Sequence, residues 1–262
     1  MKILISNDDG IFSTGIRVLA ETLAKEHEVY VVAPDQERSA AGHSLTLHSP
    51  LRVQEVEPFK GVKKCWKTSG TPGDCVKIGV CAMLDEKPDL VISGINHGPN
   101  FASDILYSGT VSCAVEGAML GIPSIAVSLA SLRFEEKYFK FGAKFIRELL
   151  HKLDNFKFPE KTILNVNIPG LPQEDITGVE VVPLGGRTFT NTYEKRIDPR
   201  GKVYYWLAGE MITDSEEVGT DIAAVRKNNK ISITPISYDM TKYDLINNLS
   251  EIVCKDGNCN WY

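Results

Sequence analysis

The sequence predicts an α/β fold built on a doubly wound, mostly parallel sheet. Two observations indicate it. The opening run Met1–Ser6 is short and apolar, ends in Asn7-Asp8-Asp9-Gly10, and is followed at once by a helical pattern. Short apolar runs and helical patterns then alternate along most of the chain, which is the arrangement that covers both faces of a parallel sheet with helices.

The pattern of each segment assigns the elements in order. The first helix carries Ile16, Leu19, Ala20 and Leu23 on one face. The later strands are predicted from short apolar or alternating runs that are bounded by turn residues. The later helices are predicted from a proline near the first turn of the helix or from a periodicity of 3.6 residues. Strands are predicted over residues 28–33, 45–56, 64–68, 89–93, 124–128 and 162–168, and helices after 69–74 and over 110–120 and 135–153.

The alternation ends near residue 169. Residues 179–183 and 203–207 are predicted to be the two arms of an extended hairpin, and a short helix, a strand at 231–236 and a last helix follow. Residues 188–193, in the middle of this hairpin, are too apolar to be exposed at its tip. This indicates that the hairpin packs on a neighbouring subunit. We therefore expect a catalytic core over 1–178 and an appendage over 179–262 that serves oligomerisation without being an independent domain.

Composition excludes several classes of protein. The net charge of −5 over 262 residues argues against binding to nucleic acid duplexes. No apolar run approaches the roughly 20 residues of a membrane span, and no leader pattern precedes the first strand, so a cytoplasmic protein is expected. The cysteines at 65, 75, 81 and 113 are expected in the core as reduced thiols. Cys254 and Cys259 are expected to be incidental thiols, with a disulfide or a metal as the alternative.

Four polar loops follow predicted strands, at residues 7–10, 34–45, 69–74 and 94–109. Because the carboxyl ends of parallel strands share one edge of a sheet, these loops should converge there. The adjacent carboxylates of Asp8 and Asp9 repel each other, and a divalent cation commonly compensates such a pair. An ordinary capped turn is the alternative for this segment.

The loop at 94–109 is the richest of the four. Ser108, Gly109 and Thr110 stand at the start of a predicted helix, where unpaired N–H groups favour an anion such as phosphate. An ordinary N-cap is the alternative for these residues, and a cap is favoured for the similar segment at 69–74. The loop at 34–45 holds two acids, an arginine and a histidine, and a metal- or substrate-facing role and a solvated loop are equally open for it.

Missing motifs narrow the chemistry. The chain has no P-loop, no G-x-G dinucleotide fingerprint, no G-x-S-x-G elbow and no H-E-x-x-H zinc motif. What remains is oxygen ligands beside anion-binding loops. A hard cation next to a phosphate site indicates phosphoryl transfer or phosphate-ester hydrolysis.

Several blocks of the sequence, in order, resemble the SurE (survival protein E) family. They are N-D-D-G at 7–10, V-A-P-D-Q-E-R-S-A-A-G at 32–42, S-G-T-P-G-D-C-V at 69–76, S-G-I-N-H-G-P-N at 93–100 and Y-S-G-T-V at 107–111. The resemblance implies a Rossmann-like sheet whose C-terminal portion is exchanged between the subunits of a homodimer or homotetramer. It also implies a cytoplasmic, metal-dependent phosphatase acting on nucleoside 5′- and 3′-monophosphates, in some members also on short-chain polyphosphate.

The same resemblance implies a ligand set. One divalent cation per subunit, Mg²⁺ or Mn²⁺ with Ca²⁺ as an alternative occupant, would be held by Asp8, Asp9, Ser39 and Asn96. Phosphate would be bound by Asn96, Ser108, Gly109 and Thr110.

We therefore expect a phosphomonoesterase of the 5′-nucleotidase or acid phosphatase type that works by metal-activated water. Asp8 or Asp9 would orient or deprotonate that water, and the sequence does not choose between them. Two alternatives stay open. One is a metal-dependent nucleotide sensor without turnover. The other is an aspartyl-phosphate phosphatase, against which the adjacency of the two acids counts, because that class uses D-x-D.

Overall fold

The computed structural model describes residues 1–131, 135–189, 192–208, 211–214 and 217–253. The strands are β1 Lys2–Ser6, β2 Glu28–Pro34, β3 Val53–Val56, β4 Lys64–Thr68, β5 Leu90–His97, β6 Ser124–Ala130, β7 Thr162–Pro169, β8 Gly178–Val181, β9 Arg187–Phe189, β10 Tyr193–Ile197, β11 Val203–Leu207, β12 Met211–Asp214 and β13 Lys230–Ser237. The helices are α1 Thr14–Leu23, α2 Pro72–Ile78, α3 Gly109–Met119, α4 Glu136–Lys152, α5 Asp221–Arg226 and α6 Ile246–Val253.

Within the described residues, nine strands form one central sheet in the order β3-β4-β2-β1-β5-β6-β7-β13-β8. The six strands from β4 to β7 in that order are parallel to one another. Strand β3 is antiparallel to β4 at one edge, and β13 is antiparallel to β7 near the other. Helices connect the parallel strands, so the predicted Rossmann-like α/β fold is confirmed.

Helices pack on both faces of the sheet. Residues of α1 and α4 join the apolar side chains of one face, and residues of α2 and α3 join those of the other. The predicted apolar face of α1 is fully buried at Ile16, Leu19 and Leu23. Each such side chain stabilises the fold by about 1.5–3 kcal/mol relative to an exposed one. The faces are therefore held by helices, and the carboxyl edge of the parallel strands is left for loops.

The pairing predicted for the C-terminal hairpin is wrong. Residues 179–183 do not pair with 203–207: β8 pairs with β13 in the central sheet, and β11 pairs with β10. The C-terminal hairpin exists, but its arms are β10 and β11. An alternating strand pattern fits any partner that offers a complementary face, so the sequence could not choose between these pairings. The central sheet consequently takes two of its strands from the chain beyond residue 178.

Two other predicted strands have different bounds. Only Val53–Val56 of the segment 45–56 is a strand, because Thr46 is held by the carboxylate of Asp74 and not by a neighbouring strand. Strand β5 continues to His97, four residues beyond its predicted end, through an irregularity between Ser93 and Asn96. Asn96 therefore lies on a strand.

Among the predicted core thiols, Cys65, Cys75 and Cys113 are buried and free. Cys81 is exposed, since it lies on the outer side of a single π-helical turn at Gly79–Met83 that follows α2. Cys254 and Cys259, and residues 190 and 191 of the predicted hairpin, lie outside the described residues. In the part of the chain that the structure describes, no helix combines the length and hydrophobicity of a membrane span.

Candidate active site at the carboxyl edge of the sheet

The turn after β1 is built by Asn7. Its buried side-chain amide donates hydrogen bonds to the Gly10 carbonyl at 3.0 Å and to Ser13 Oγ at 2.8 Å. Its amide oxygen accepts from the Gly10 N–H at 3.2 Å, and Gly10 has a φ of +96°, which favours glycine. Asn7 thus holds the turn, and the side chains of Asp8 and Asp9 are not needed for that purpose. They can contact groups at the carboxyl edge of the sheet instead.

Asp8 is packed against the start of α3. The hydroxyl of Thr110 donates to Asp8 Oδ1 at 2.5 Å, and only 6% of Asp8 is exposed. Gly109 lies directly against the same carboxylate. A Cβ at position 109 would come within 2.6 Å of Asp8 Cβ and 2.8 Å of Asp8 Oδ2. The approach of α3 to Asp8 therefore requires glycine at this position.

Asp9 is joined to the end of β5. The backbone N–H of His97 donates to Asp9 Oδ2 at 3.1 Å. The preceding residue, Asn96, donates through Nδ2 to the Gly98 carbonyl at 2.8 Å, so its amide oxygen is the end available to a ligand. The strands β1 and β5 are neighbours in the sheet. They thus bring the Asp9 carboxylate into contact with His97, the residue that follows Asn96.

The pair of acids is electrostatically unfavourable when it is alone. Burial raises the pKa of Asp8, against the opposing hydrogen bond from Thr110. Burial and the adjacent charge of Asp8 raise the pKa of Asp9 to about 7, and the exposed Glu37 adds negative charge to both. A cation between these oxygens would relieve the repulsion, and hard oxygen donors suit Mg²⁺, Mn²⁺ or Ca²⁺. The donor chemistry of this site therefore fits a divalent cation.

Neutral oxygens would have to complete the coordination. In the described part of the chain, no three His, Cys, Asp or Glu side chains are grouped as metal ligands. Asn96 and Ser39 offer an amide and a hydroxyl oxygen. The Arg38 N–H donates to the Asp8 carbonyl at 2.8 Å, which ties the loop that carries Ser39 to the turn after β1. The Ser39 hydroxyl itself donates to Glu37 at 2.5 Å.

The family model for survival protein SurE matches residues 3–191. The chain belongs to the SurE family. A relative from Cyanothece sp. named 5′-nucleotidase SurE is 52% identical over 251 residues, which are 92% of each chain. The protein of the same name from Thermosynechococcus vestitus is 50% identical over 257 residues, which are 96% of each. The crystal structure of the SurE protein from Aquifex aeolicus has a TM-score of 0.83 and 43% identity, covering 96% of this chain and 99% of that one.

In this SurE-family chain, Ser108 is the N-cap of α3. Its buried hydroxyl accepts from the Val111 N–H at 3.1 Å, which is the alternative that the sequence left open for it. The cap favoured for 69–74 is confirmed: Thr71 and Asp74 form a reciprocal capping box at the start of α2. Burial acts to raise the pKa of Asp74, but its bonds from Thr46 and Thr71 hold that pKa below the usual value. A phosphate contact by Ser108, Gly109 and Thr110 stays a prediction.

Sequence reasoning missed one cluster of this SurE-family site. Glu116, on α3, has 1% exposure and accepts from Lys77 Nζ at 2.7 Å and from His43 Nε2 at 2.9 Å. Hydrogen bonds from His43 and Lys77 hold the pKa of Glu116 below its usual range against burial. The available signal was the lone acid in the small apolar helix G-T-V-S-C-A-V-E-G-A-M. The cluster ties α3 both to α2 and to the loop that bears Ser39.

Proposed function

We propose that this SurE-family chain is a divalent-metal-dependent 5′-nucleotidase, which hydrolyses nucleoside monophosphates to nucleoside and phosphate. The observation that carries the proposal is the position of Asp8. Its carboxylate contacts the first residues of α3, and its neighbour Asp9 contacts β5 beside Asn96. The proposed cation site and the proposed anion site would thus share one side chain. The name 5′-nucleotidase carried by relatives that are about half identical supports the same activity.

The cation would be held by Asp8, Asp9, Ser39 and Asn96. When bound, it would polarise a phosphate oxygen and lower the pKa of an attacking water. The chain supplies two carboxylates and two neutral oxygens, a donor set for one Mg²⁺ or Mn²⁺ per subunit with Ca²⁺ as an alternative occupant.

The start of α3 would bind the phosphate. The N–H groups of a first helical turn have no partner within the helix, and the helix dipole favours an anion at this end. Gly109 has no side chain, so a phosphate oxygen can approach its backbone closely. These N–H groups would stabilise charge on the equatorial oxygens in the transition state, while the Thr110 hydroxyl donates its proton to Asp8.

Asp9 is the better placed of the two acids to orient the attacking water. Asp8 is almost fully buried, and one of its oxygens accepts from Thr110. Asp9 is only half-buried, and its Oδ2 accepts from the His97 backbone N–H. A general base needs hydrogen-bond reach to the proton that it takes, which favours Asp9 over Asp8.

The test is phosphate release from nucleoside monophosphates and short-chain polyphosphate, with and without EDTA and added Mg²⁺ or Mn²⁺. We expect no turnover after EDTA treatment and recovery with the added cation. Asp8→Asn and Asp9→Asn should each lower kcat/KM by about 100-fold or more, because each removes a charge facing the cation with little change in volume. Asp154→Asn, which removes an exposed carboxylate elsewhere, is the matched control.

Full activity in EDTA-treated protein, or in both aspartate variants, would reject the metal centre. Binding of nucleotide by the wild-type protein without any phosphate release would favour the nucleotide sensor.

We also propose a cytoplasmic location, which is supported by the free thiols at Cys65, Cys75, Cys81 and Cys113, since cysteines stay reduced in that compartment.

A further inference from the structure

Strand β7 carries two buried asparagines on one of its faces. Asn165 and Asn167 are fully buried and lie in the interior of the sheet, between β6 and β13. They alternate with three residues that join the apolar core on the opposite face, Leu164, Val166 and Ile168. A buried amide group without a hydrogen-bond partner destabilises the fold, so two asparagines in such a strand need partners within the protein.

Both asparagines bond to a single residue, Asn100, in the loop after β5. The Asn100 backbone N–H donates to Asn167 Oδ1 at 2.8 Å. The Asn100 carbonyl accepts from Asn167 Nδ2 at 3.0 Å and from Asn165 Nδ2 at 2.9 Å. The Asn100 side chain donates to Ser128 Oγ on β6 at 2.7 Å. These four buried hydrogen bonds attach Asn100 to both β6 and β7.

The loop between β5 and α3 crosses the carboxyl edge of the sheet to reach these strands. Before Asn100, the Gly98 N–H donates to the Leu129 carbonyl near the end of β6 at 3.0 Å. After it, the Ala102 N–H donates at 2.9 Å to the buried carboxylate of Asp221 on α5. Asn100 lies two residues from each of these contacts and therefore anchors the middle of the segment 98–102.

The same segment orients Asn96. The Asn96 Nδ2 donates to the Gly98 carbonyl at 2.8 Å, and the amide oxygen is the end that is proposed to face the cation. The Gly98 carbonyl belongs to the peptide that joins Gly98 to Pro99, and Asn100 follows directly. A shift of Asn100 would therefore move the Gly98 carbonyl and turn the amide of Asn96 with it.

We propose that Asn165 and Asn167 are positioning residues, which orient the amide oxygen of Asn96 toward the cation by holding Asn100. The inference rests on the proposed function and adds to its metal centre two residues of β7 that would contact neither cation nor substrate. Loss of a residue that orients a metal ligand typically lowers metal affinity by about 10- to 100-fold.

The test measures binding of Mn²⁺ to the protein without substrate, from the electron paramagnetic resonance signal of free Mn²⁺. We expect Asn167→Ala to raise the dissociation constant about tenfold, because it removes two of the four bonds to Asn100. Asn165→Ala removes one bond and should raise the dissociation constant by less. If Asn167→Ala fails to fold, as judged by circular dichroism, the comparison of Asn165→Ala with wild type decides the question.

Phosphate release from AMP supplies a second measurement. The Mn²⁺ concentration for half-maximal activity should rise in the same order, with Asn167→Ala above Asn165→Ala and both above wild type. The value of kcat at saturating Mn²⁺ should stay within about threefold of wild type, because the bound cation restores the same set of ligands. A weaker cation requirement with nearly constant kcat is not what a general loss of stability produces.

Thr234→Val is the matched control. Thr234 lies directly opposite Asn165 on β13 and is 2% exposed, and its hydroxyl makes no hydrogen bond within the described part of the chain. Valine has nearly the same shape, so this variant alters the same buried face without removing a bond to Asn100. Its dissociation constant for Mn²⁺ should equal that of wild type.

A purely structural role would lower the Tm of the asparagine variants and leave the dissociation constant for Mn²⁺ unchanged. That result, or an equal change in Thr234→Val, would overturn the positioning role. A wild-type protein that binds no Mn²⁺ would reject the metal centre and this inference with it. A wild-type protein that binds Mn²⁺ but releases no phosphate from AMP would reject the nucleotidase activity alone, and the binding measurements would still decide the positioning role.

Discussion

Gly109 determines how closely α3 approaches Asp8. The nearest atoms to an added Cβ would be Asp8 Cβ, Asp8 Oδ2 and Pro72 Cγ, all within 2.9 Å. Contacts of this length are shorter than real Cβ contacts, so either the helix or the turn after β1 would have to move. Because Asn7 holds that turn by three hydrogen bonds, the displaced group should be the Asp8 carboxylate.

We therefore predict that Gly109→Ala lowers kcat/KM by about 100-fold, since misplacement of a site residue by about 1 Å has this effect. The matched control is Gly117→Ala on the same helix. Its Cβ would come within 2.5 Å of Ser124 Oγ and 2.9 Å of Val91 Cβ, away from the site. It should lower the free energy of unfolding by about 1–3 kcal/mol through overpacking and leave kcat/KM of the folded protein near wild type. Equal kinetic losses in both variants would contradict the role assigned to Gly109.

The serines of the site are poor nucleophiles in this geometry. A serine needs an adjacent base to attack phosphorus, and His43, four residues from Ser39, is bonded to Glu116. The Ser108 hydroxyl is engaged as the cap of α3. We predict direct attack by water, without a covalent phosphoenzyme. Acid quenching during turnover of a substrate with radiolabelled phosphate should leave no label on the protein. Label in amounts that track the enzyme would show a covalent intermediate. Its loss in Ser39→Ala or Ser108→Ala would place it on that serine, and its retention in both would point to an aspartate.

At the scale of elements, α3 joins the two halves of the site. Its first turn contacts Asp8, and Glu116 further along it contacts Lys77 on α2 and His43 in the Ser39 loop. Glu116 is almost fully buried, so its charge depends on these two partners. The helix therefore positions the Ser39 loop relative to Asp8.

We predict that Glu116→Gln lowers the free energy of unfolding by about 1–3 kcal/mol near neutral pH and raises the cation concentration needed for half-maximal activity. Because the pKa of Glu116 is lowered in the folded state, its contribution to stability is complete above the ordinary value of 4.5 and is lost as the pH falls through the folded-state pKa. The difference in the free energy of unfolding between Glu116→Gln and wild type should therefore become smaller below pH 4.5. Denaturant titrations at several pH values measure it.

Glu148→Gln is the control for this experiment, since Glu148 is exposed and lies 3.9 Å from its partner Lys144. It should change the stability by less than about 0.5 kcal/mol at any pH. A Glu116→Gln variant as stable as Glu148→Gln, with the same cation requirement, would contradict the positioning role of α3.

At the scale of the whole molecule, the hairpin β10–β11 carries an uncovered apolar face. The pairing puts Tyr193, Ile197, Val203, Tyr205 and Leu207 on one side together with a single charged residue, Lys195. Tyr205 and Leu207 are 58% and 67% exposed. An isolated two-stranded hairpin is only marginally stable in water, and an exposed apolar face of this kind marks an interaction site. The exposed side chains of Ile246, Leu249 and Ile252 on α6 add a second such surface.

We predict a homodimer or homotetramer assembled by exchange of the C-terminal segment, detectable by light scattering at micromolar concentration. The double variant Ile197→Lys with Tyr205→Lys should shift the protein toward monomer, because it places charges on the apolar face. Glu194→Lys, on the opposite face of the same hairpin, is the control. Its molar mass in solution should equal that of the wild-type assembly. A wild-type protein that is monomeric at that concentration would reject the assembly.

The sequence by itself determined which segments are strands and helices in the core, and which edge of the sheet carries the polar loops. Both depend on local physics. Apolar periodicity identified the buried face of α1, and the turn residues after β1 located Asp8 and Asp9. Asn96 and the start of α3 were also marked by their positions after predicted strands. The order of blocks was enough to identify the family.

Only the tertiary structure decided which of these segments meet. The pairing of β8 with β13, the extension of β5 to His97 and the contact of Gly109 with Asp8 all join residues that are distant in the chain. The contacts of Glu116 with His43 and Lys77 likewise join distant parts of the chain, although the sequence of its helix is mostly apolar. Strand partners and buried ion pairs are selected by the packing of the whole molecule. A local pattern constrains which contacts are allowed, and the packed sheet selects among them.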